Sequence, residues 1–324
     1  MPDVAIWPAC NLRCPFCSNP VRGYRNTVAR YSYAWLRHKF AAYKKGGRIF
    51  KKFNDAHDGI VLTGGEPTLH PDFFRVLRLI RTEFPNAALR LLTNGRRLSN
   101  PTFARGTLAL GGPHLTVAVP LFGFDARTHD RICGVPGSFA QTWAGLRNLR
   151  SLRQSGQRIE IRVILTRMQL PLLGRLLNFL LAALPDLDDL VFLYFEIEGF
   201  AAKHREKLLV SLPACARSLD RHYTTLRRFK AVRLYHFPLC ALPTRLWPWA
   251  WNTLDAGKVM FRATCQALCH YREQCVGIHS SYARHMRLAD FRPILEPRPV
   301  RLSGNPYHPV AGLSGKDTRS RHLP

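Results

Sequence analysis

The chain has 324 residues, 46% of them hydrophobic, which agrees with a soluble enzyme built from one large domain and a smaller companion. It carries 48 Lys and Arg against 21 Asp and Glu, a formal net charge of +27. Two classes are excluded: the longest apolar stretch, Leu170 to Leu184, is too short for a bilayer and is broken by Arg175 and Asn178, and the start Met-Pro-Asp-Val-Ala-Ile-Trp lacks the basic and apolar segments of a secretory signal. A cytoplasmic protein without a transmembrane segment is expected. Nine cysteines in a reducing compartment point to metal or catalytic use before disulfides.

Val4 to Trp7 reads as a first strand, and it runs into Cys-Asn-Leu-Arg-Cys-Pro-Phe-Cys, placing Cys10, Cys14 and Cys17 in a Cys-x3-Cys-x2-Cys loop. Three thiolates so spaced can hold one face of an iron-sulfur cube. Cubane clusters normally take four Cys ligands, so three leave one iron open to a substrate or cofactor. Structural zinc wants four protein ligands, and the first His after the loop is His38. A long polar helical region is expected near Thr27 to Phe53. Residues 22 to 52 contain ten Lys or Arg and no acid. Such a basic segment suits RNA, an acidic peptide or an anionic membrane surface, or is simply a solvated helix face.

Ile60 to Thr63 reads as a short buried strand leading into Gly64-Gly65-Glu66-Pro67. The two glycines let backbone pass close to a ligand, and Glu66 offers a carboxylate to an ammonium group. Pro71 opens a helix. Ala88 to Leu92 is a strand ending in the turn Thr93-Asn94-Gly95, where Asn94 has a local backbone explanation as well as a pocket-lining one. Leu115 to Phe122 is a fourth strand, with Pro120 near its end. Ser138 to Leu152 reads as a helix, and Ile159 to Leu165 as an alternating strand with Glu160 and Arg162 on one face. A helix from Leu170 and a sixth strand, Leu190 to Phe195, follow. Six strand-then-helix units imply a parallel α/β sheet, with ligands at the carboxyl ends of the strands. Cys10, Glu66, Asn94 and the loop after Phe122 all fall there.

Downstream, Cys240 and then Cys265, Cys269 and Cys275 supply four more thiolates, fit for a 4Fe-4S cluster or a four-cysteine zinc site. Cys133 and Cys215 stand apart, and Cys133 reads as a loop thiol. Residues 297 to 324, containing Pro, Gly, Ser and Arg, read as a disordered basic tail.

The cysteine loop followed by Gly64-Gly65-Glu66-Pro67 resembles the radical S-adenosylmethionine (SAM) superfamily. The resemblance implies a partial barrel of six β/α units over residues 1–200 and a small cysteine-rich α+β domain of the SPASM or twitch kind over 201–296. It also implies a 4Fe-4S cluster with an open iron on Cys10, Cys14 and Cys17. SAM would be gripped by Gly64, Gly65, Glu66 and Pro67, with Asn94 lining its pocket and Arg162 resembling a position that pairs with the SAM carboxylate. Cys240, Cys265, Cys269 and Cys275 would hold an auxiliary 4Fe-4S cluster. The segments Phe237 to Pro243, Leu246 to Ala250, His129 to Thr142 and Glu198-Gly199 are similar to the smaller partner maturase of the His-Xaa-Ser system. That similarity implies a peptide or protein substrate, a second radical SAM maturase, and an electron donor such as flavodoxin or ferredoxin. The alternatives are a radical SAM enzyme acting on tRNA or another nucleic acid, and a non-catalytic metal-binding scaffold.

Overall fold

The computed structural model describes residues 3–18, 24–45, 59–254 and 256–314. Its framework is an eight-stranded sheet whose strands lie in sequence order: β1 (Asp3–Trp7), β2 (Gly59–Gly64), β3 (Ala88–Leu92), β4 (Leu115–Pro120), β5 (Arg158–Leu165), β6 (Asp189–Tyr194), β7 (Val232–Tyr235) and β8 (Ala250–Trp251). Sequence order without a reversal is the winding of a barrel-type α/β fold; a doubly wound sheet switches direction partway. The α/β expectation holds. The sheet exceeds the expected six strands because Val232 to Tyr235 and Ala250-Trp251 continue it with short parallel pairings.

Two compact units divide the chain: residues 1–162 with 186–189, and residues 163–185 with 190–324. In the first, α2 (Phe73–Glu83) buries Phe73, Val76, Leu77 and Ile80, a spacing of three and four that gives one apolar helical face. In the second, α6 (Leu173–Ala183) buries Leu173, Leu176, Leu177 and Leu180 in the same rhythm. Each such side chain contributes about 2 kcal/mol of burial.

The first unit also holds α1 (Tyr33–Lys45), α3 (Pro101–Gly111), α4 (Ala126–Cys133) and α5 (Ser138–Leu152). Over the expected helix Thr27 to Phe53 the described residues form a 3-10 stretch Tyr24–Tyr31 followed by α1. Residues 46–58, and so part of the basic segment, lie outside the described residues. No described helix is long and apolar enough to cross a membrane.

The second unit also holds α7 (Leu212–Arg221), α8 (Ala263–Leu268) and two antiparallel ribbons. One pairs β9 (Val259–Met260) with β10 (Ile278–His279), the other β11 (Val300–Leu302) with β12 (Val310–Leu313). The second ribbon corrects the disordered reading of the tail as far as residue 314. Its few apolar and aromatic groups find partners: Val310 is fully buried, and His308 stacks on Trp251 at 4.5 Å and donates to Pro248 O at 2.7 Å. Residues 315–324 lie outside the described set.

The link from α4 to α5 is fastened by one carboxylate. Asp130 accepts from Gly137 N, Phe139 N and Ser138 Oγ, each at 2.7 Å, so it caps α5 from outside the helix. Cys133 Sγ lies 2.8 Å from Ser138 Oγ. His129, Asp130 and Cys133 hold their ligand-type atoms within 4.8 Å of one another, but these bonds already occupy the carboxylate and thiol, making the trio a structural fastener.

His129 is 1% exposed, its Nδ1 accepts from Phe122 N at 3.2 Å, and burial pushes its pKa down to about 4. The unfolded imidazole, near 6.5, therefore takes its proton first as pH falls. Stability from this group is whole above that value and drops by roughly 3 kcal/mol as pH falls towards the folded pKa. Urea unfolding between pH 7 and 4 should show this loss and His129→Asn should flatten it; parallel curves for the two chains would contradict the assignment.

Candidate functional site

The first cysteine loop leaves the carboxyl end of β1 and is laid directly on the end of β2. Gly65 N donates to Trp7 O and Glu66 N to Ala9 O, both at 2.8 Å. The approach is so close that a Cβ on Gly64 would meet Trp7 O at 2.2 Å, and one on Gly65 would meet Pro8 O at 2.3 Å and Ala9 O at 2.5 Å. Gly64 also has φ +141°, a conformation other residues rarely adopt. The paired glycines thus admit the chain's own cysteine-bearing loop.

Glu66 is 1% exposed and accepts four hydrogen bonds. Its Oε1 takes Thr68 N at 3.1 Å, Thr68 Oγ1 at 2.6 Å and Thr93 Oγ1 at 2.6 Å; its Oε2 takes Asn94 N at 2.7 Å. One side chain thereby caps the 3-10 turn Pro67–Leu69 and ties the exit of β2 to that of β3. Burial pushes its pKa up, against these four donors.

Asn94 carries the tie to the cysteine loop. Its Nδ2 donates to Asn11 Oδ1 at 2.7 Å and approaches Cys10 Sγ at 3.9 Å, while its Oδ1 accepts from Arg96 N at 3.0 Å. The sequence singled out Asn94 but not its neighbours. Arg96 donates from Nη1 to Asn11 O at 2.5 Å and from Nε to Gln141 Oε1 at 2.6 Å. Arg97 donates to Thr68 O at 2.5 Å and lies over the Phe103 ring, and both arginines border a cavity of about 530 Å³ beside the loop. The run Thr93 to Arg97 at a strand end was the available signal.

Across the loop, Arg13 N donates to Cys133 O at 2.9 Å and Phe16 packs edge-on to Phe122 at 4.8 Å. Leu12 N points at Cys10 Sγ at 3.4 Å. Burial pushes the Cys10 thiol up to about 11 and that of Cys14 well above its ordinary value, with the neighbouring Cys133 adding to the latter. Three half-buried thiols, those of Cys10 and Cys14 with raised pKa values, and a backbone N–H on one sulfur suit a positively charged metal centre, which is what would deprotonate them.

Arg162 lies in β5, where its Nε pairs with Glu160 Oε1 at 2.5 Å; Glu160 Oε2 lies 3.2 Å from Arg90 Nε. Glu160 and Arg162 share a face, as the strand alternation implied.

In the second unit Cys240, Cys265, Cys269 and Cys275 all line one small cavity. Cys240 sits in the turn Leu239–Ala241, and the β9–β10 ribbon closes the base of the loop carrying the other three. Gly277 N points at Cys275 Sγ and Ile294 N at Cys269 Sγ, each at 3.4 Å. Burial pushes Cys240 up to about 12 and Cys275 to about 11. Four thiols lining one cavity, with backbone N–H groups aimed at two of the sulfurs, are a donor set that fits a metal centre.

Gly65→Ala should leave the far-ultraviolet circular dichroism of the chain nearly unchanged while displacing the loop. Anaerobic reconstitution should then load about four fewer irons per chain, as for one lost cubane. Full iron in that variant would show that the contact with Pro8 and Ala9 does not set the cysteines.

Residues 4–166 match the Radical SAM superfamily profile. An AdoMet-dependent heme synthase of Methanosarcina barkeri is 39% identical over 93 residues, 28% of this chain and 25% of that protein. A GTP 3′,8-cyclase of Pasteurella multocida is 27% identical over 165 residues, 51% and 44% of the two chains. The chain thus spans less than half of the length of either relative. Among solved structures, Streptococcus suis SuiB bound to precursor peptide SuiA superposes with a TM-score of 0.53 at 19% identity, over 71% of this chain and 48% of that one. Native anSMEcpe with bound AdoMet and Cp18Cys peptide gives 0.51 at 16% identity, over 71% and 63%. At such identities the structures speak to fold alone. The profile covers half of the chain and spans both the cysteine loop and the Gly64–Glu66 turn, and the chain belongs to the radical SAM superfamily.

Proposed function

We propose that this chain reductively cleaves SAM and uses the radical so formed to modify a ribosomally made peptide or protein, in the manner of His-Xaa-Ser maturation. The observation that carries the reading is the fastening of Cys10, Cys14 and Cys17 to the ends of β1, β2 and β3 through Gly64, Gly65, Glu66 and Asn94. When bound, the cluster and SAM supply one-electron cleavage of a carbon-sulfur bond and a 5′-deoxyadenosyl radical. The chain's part is to hold and orient. Cys10, Cys14 and Cys17 would hold the cluster. Glu66 Oε2 accepts from Asn94 N alone among the described residues, so it keeps a lone pair for the SAM ammonium. Pro67 and the Gly64-Gly65 backbone would position the methionine part. Arg162 would meet the SAM carboxylate.

The peptide class is supported by the two solved relatives whose structures hold peptides. The GTP 3′,8-cyclase match and the chain's basicity favour a second reading, a nucleotide or RNA substrate. A scaffold without chemistry is disfavoured by the intact cysteine loop.

A synthetic peptide of His-Xaa-Ser repeats, deuterated at its side-chain carbons, should pass deuterium into 5′-deoxyadenosine under reducing conditions, and Cys14→Ala should abolish both 5′-deoxyadenosine and the transfer. Cleavage of SAM without deuterium transfer, together with tight salt-tolerant binding of one RNA, would move the substrate to nucleic acid.

For the second cysteine group we propose an auxiliary 4Fe-4S cluster. Loaded protein should carry about eight irons and Cys269→Ala about four. Four irons and one zinc in the unaltered chain would make the group a closed structural site.

A further inference from the structure

Outside both cysteine groups, the second unit gathers two carboxylates, an ammonium and a buried imidazole. Glu196 and Glu198 follow directly on the carboxyl end of β6, the end at which parallel α/β sheets bind ligands. The β9–β10 ribbon brings the other two: Lys258 immediately precedes β9, and His279 in β10 pairs with Val259. Lys258 Nζ lies 3.0 Å from Glu198 Oε2 and 3.7 Å from Glu196 Oε2. His279 Nε2 lies 3.8 Å from Glu196 Oε1 and 3.9 Å from Glu198 Oε1.

His279 is fully buried, yet its Nε2 has no hydrogen-bond partner among the described residues. Its Nδ1 accepts from Ser281 N at 3.2 Å and lies 2.7 Å from Ser281 Oγ, which places the ring hydrogen on Nε2, facing the two carboxylates. Burial lowers its pKa, so it stands neutral at pH 7. Two carboxylates against one ammonium leave one negative charge uncompensated. The two glutamate side chains are 27% and 37% exposed, so that charge is within reach of a ligand. In a chain of net charge +27, this is a place where a cation is attracted rather than repelled.

We propose that Glu196 and Glu198 form a subsite for one guanidinium or ammonium side chain of the substrate, with Lys258 as the internal cation that holds the pair when the subsite is empty; the substrate being a peptide rests on the function proposed above. A cationic side chain supplies the missing charge. As it draws one carboxylate outward, the other is free to close on His279 Nε2–H, giving that buried donor the acceptor it lacks. A purely structural ion pair between Lys258 and one glutamate would need neither the second carboxylate nor a buried N–H aimed at both.

The test is calorimetric titration of the reconstituted full chain, without SAM, with N-acetylarginine amide, and with N-acetylnorleucine amide as the uncharged control. Saturable binding of the arginine probe alone is expected. It should weaken at least tenfold in Glu196→Gln/Glu198→Gln and tighten several-fold in Lys258→Met, which removes the competing cation. A structural role for Lys258 gives the opposite sign. Equal binding by the double glutamine variant, or weaker binding by Lys258→Met, overturns the proposal. No turnover is read, so failure here is separate from failure of deuterium transfer, which would remove the peptide substrate and leave a cation site.

Discussion

Trp7, Pro8 and Ala9 run so close to Gly64 and Gly65 that no side chain fits between the two segments, and the metal-binding candidate is built outward from that contact. The two hydrogen bonds from Gly65 N and Glu66 N extend the β1–β2 pairing beyond the strand ends, so the chain enters the cysteine loop with its direction already set. Glu66, carried to the same point, gathers donors from Thr68, Thr93 and Asn94. Asn94 then reaches back to Asn11 inside the loop. The circuit closes on itself, and each member holds the next within hydrogen-bond distance.

Charge is handled differently inside and outside. Within the sheet Glu160 is fully buried and lies against Arg90 and Arg162, and Asp189 is paired with Arg158 at 2.8 Å. Such pairs add little net stability, but removing one partner strands a buried charge. The buried thiols follow the same logic. The raised pKa of Cys10 keeps its thiol neutral until the cluster supplies compensating charge, so cluster loading there should release protons and favour higher pH.

Much of this was legible in the sequence because the first five strands and α5 carry plain signals: short apolar or alternating runs, then Gly, Asn or Pro at their ends. Ser138 to Leu152 and Ala88 to Leu92 coincide with α5 and β3. Strands β7 and β8 were missed, for four and two residues show no periodicity. The tail was misread because composition weighs Pro, Gly, Ser and Arg, whereas the ribbon over 300–313 depends on a few contacts such as His308 on Trp251. At the site, the sequence supplied the residues but not their work. A Gly-Gly-Glu turn reads equally as a ligand cradle or as the seat for a neighbouring strand exit, and only tertiary distances separate the two. Glu196, Glu198, Lys258 and His279 are spread over 84 positions and share no motif, so nothing local announced their meeting.

The central claim is that Glu66 fixes the cysteine loop in place before any ligand arrives. Counting iron in a Glu66→Gln chain that also carries Cys269→Ala, reconstituted without SAM, tests it most directly. An amide there turns one acceptor into a donor facing Thr68, Thr93 or Asn94, and the account predicts that iron at the first site falls well below the roughly four atoms of a full cubane. A full complement of iron, with only SAM affinity reduced, would contradict it.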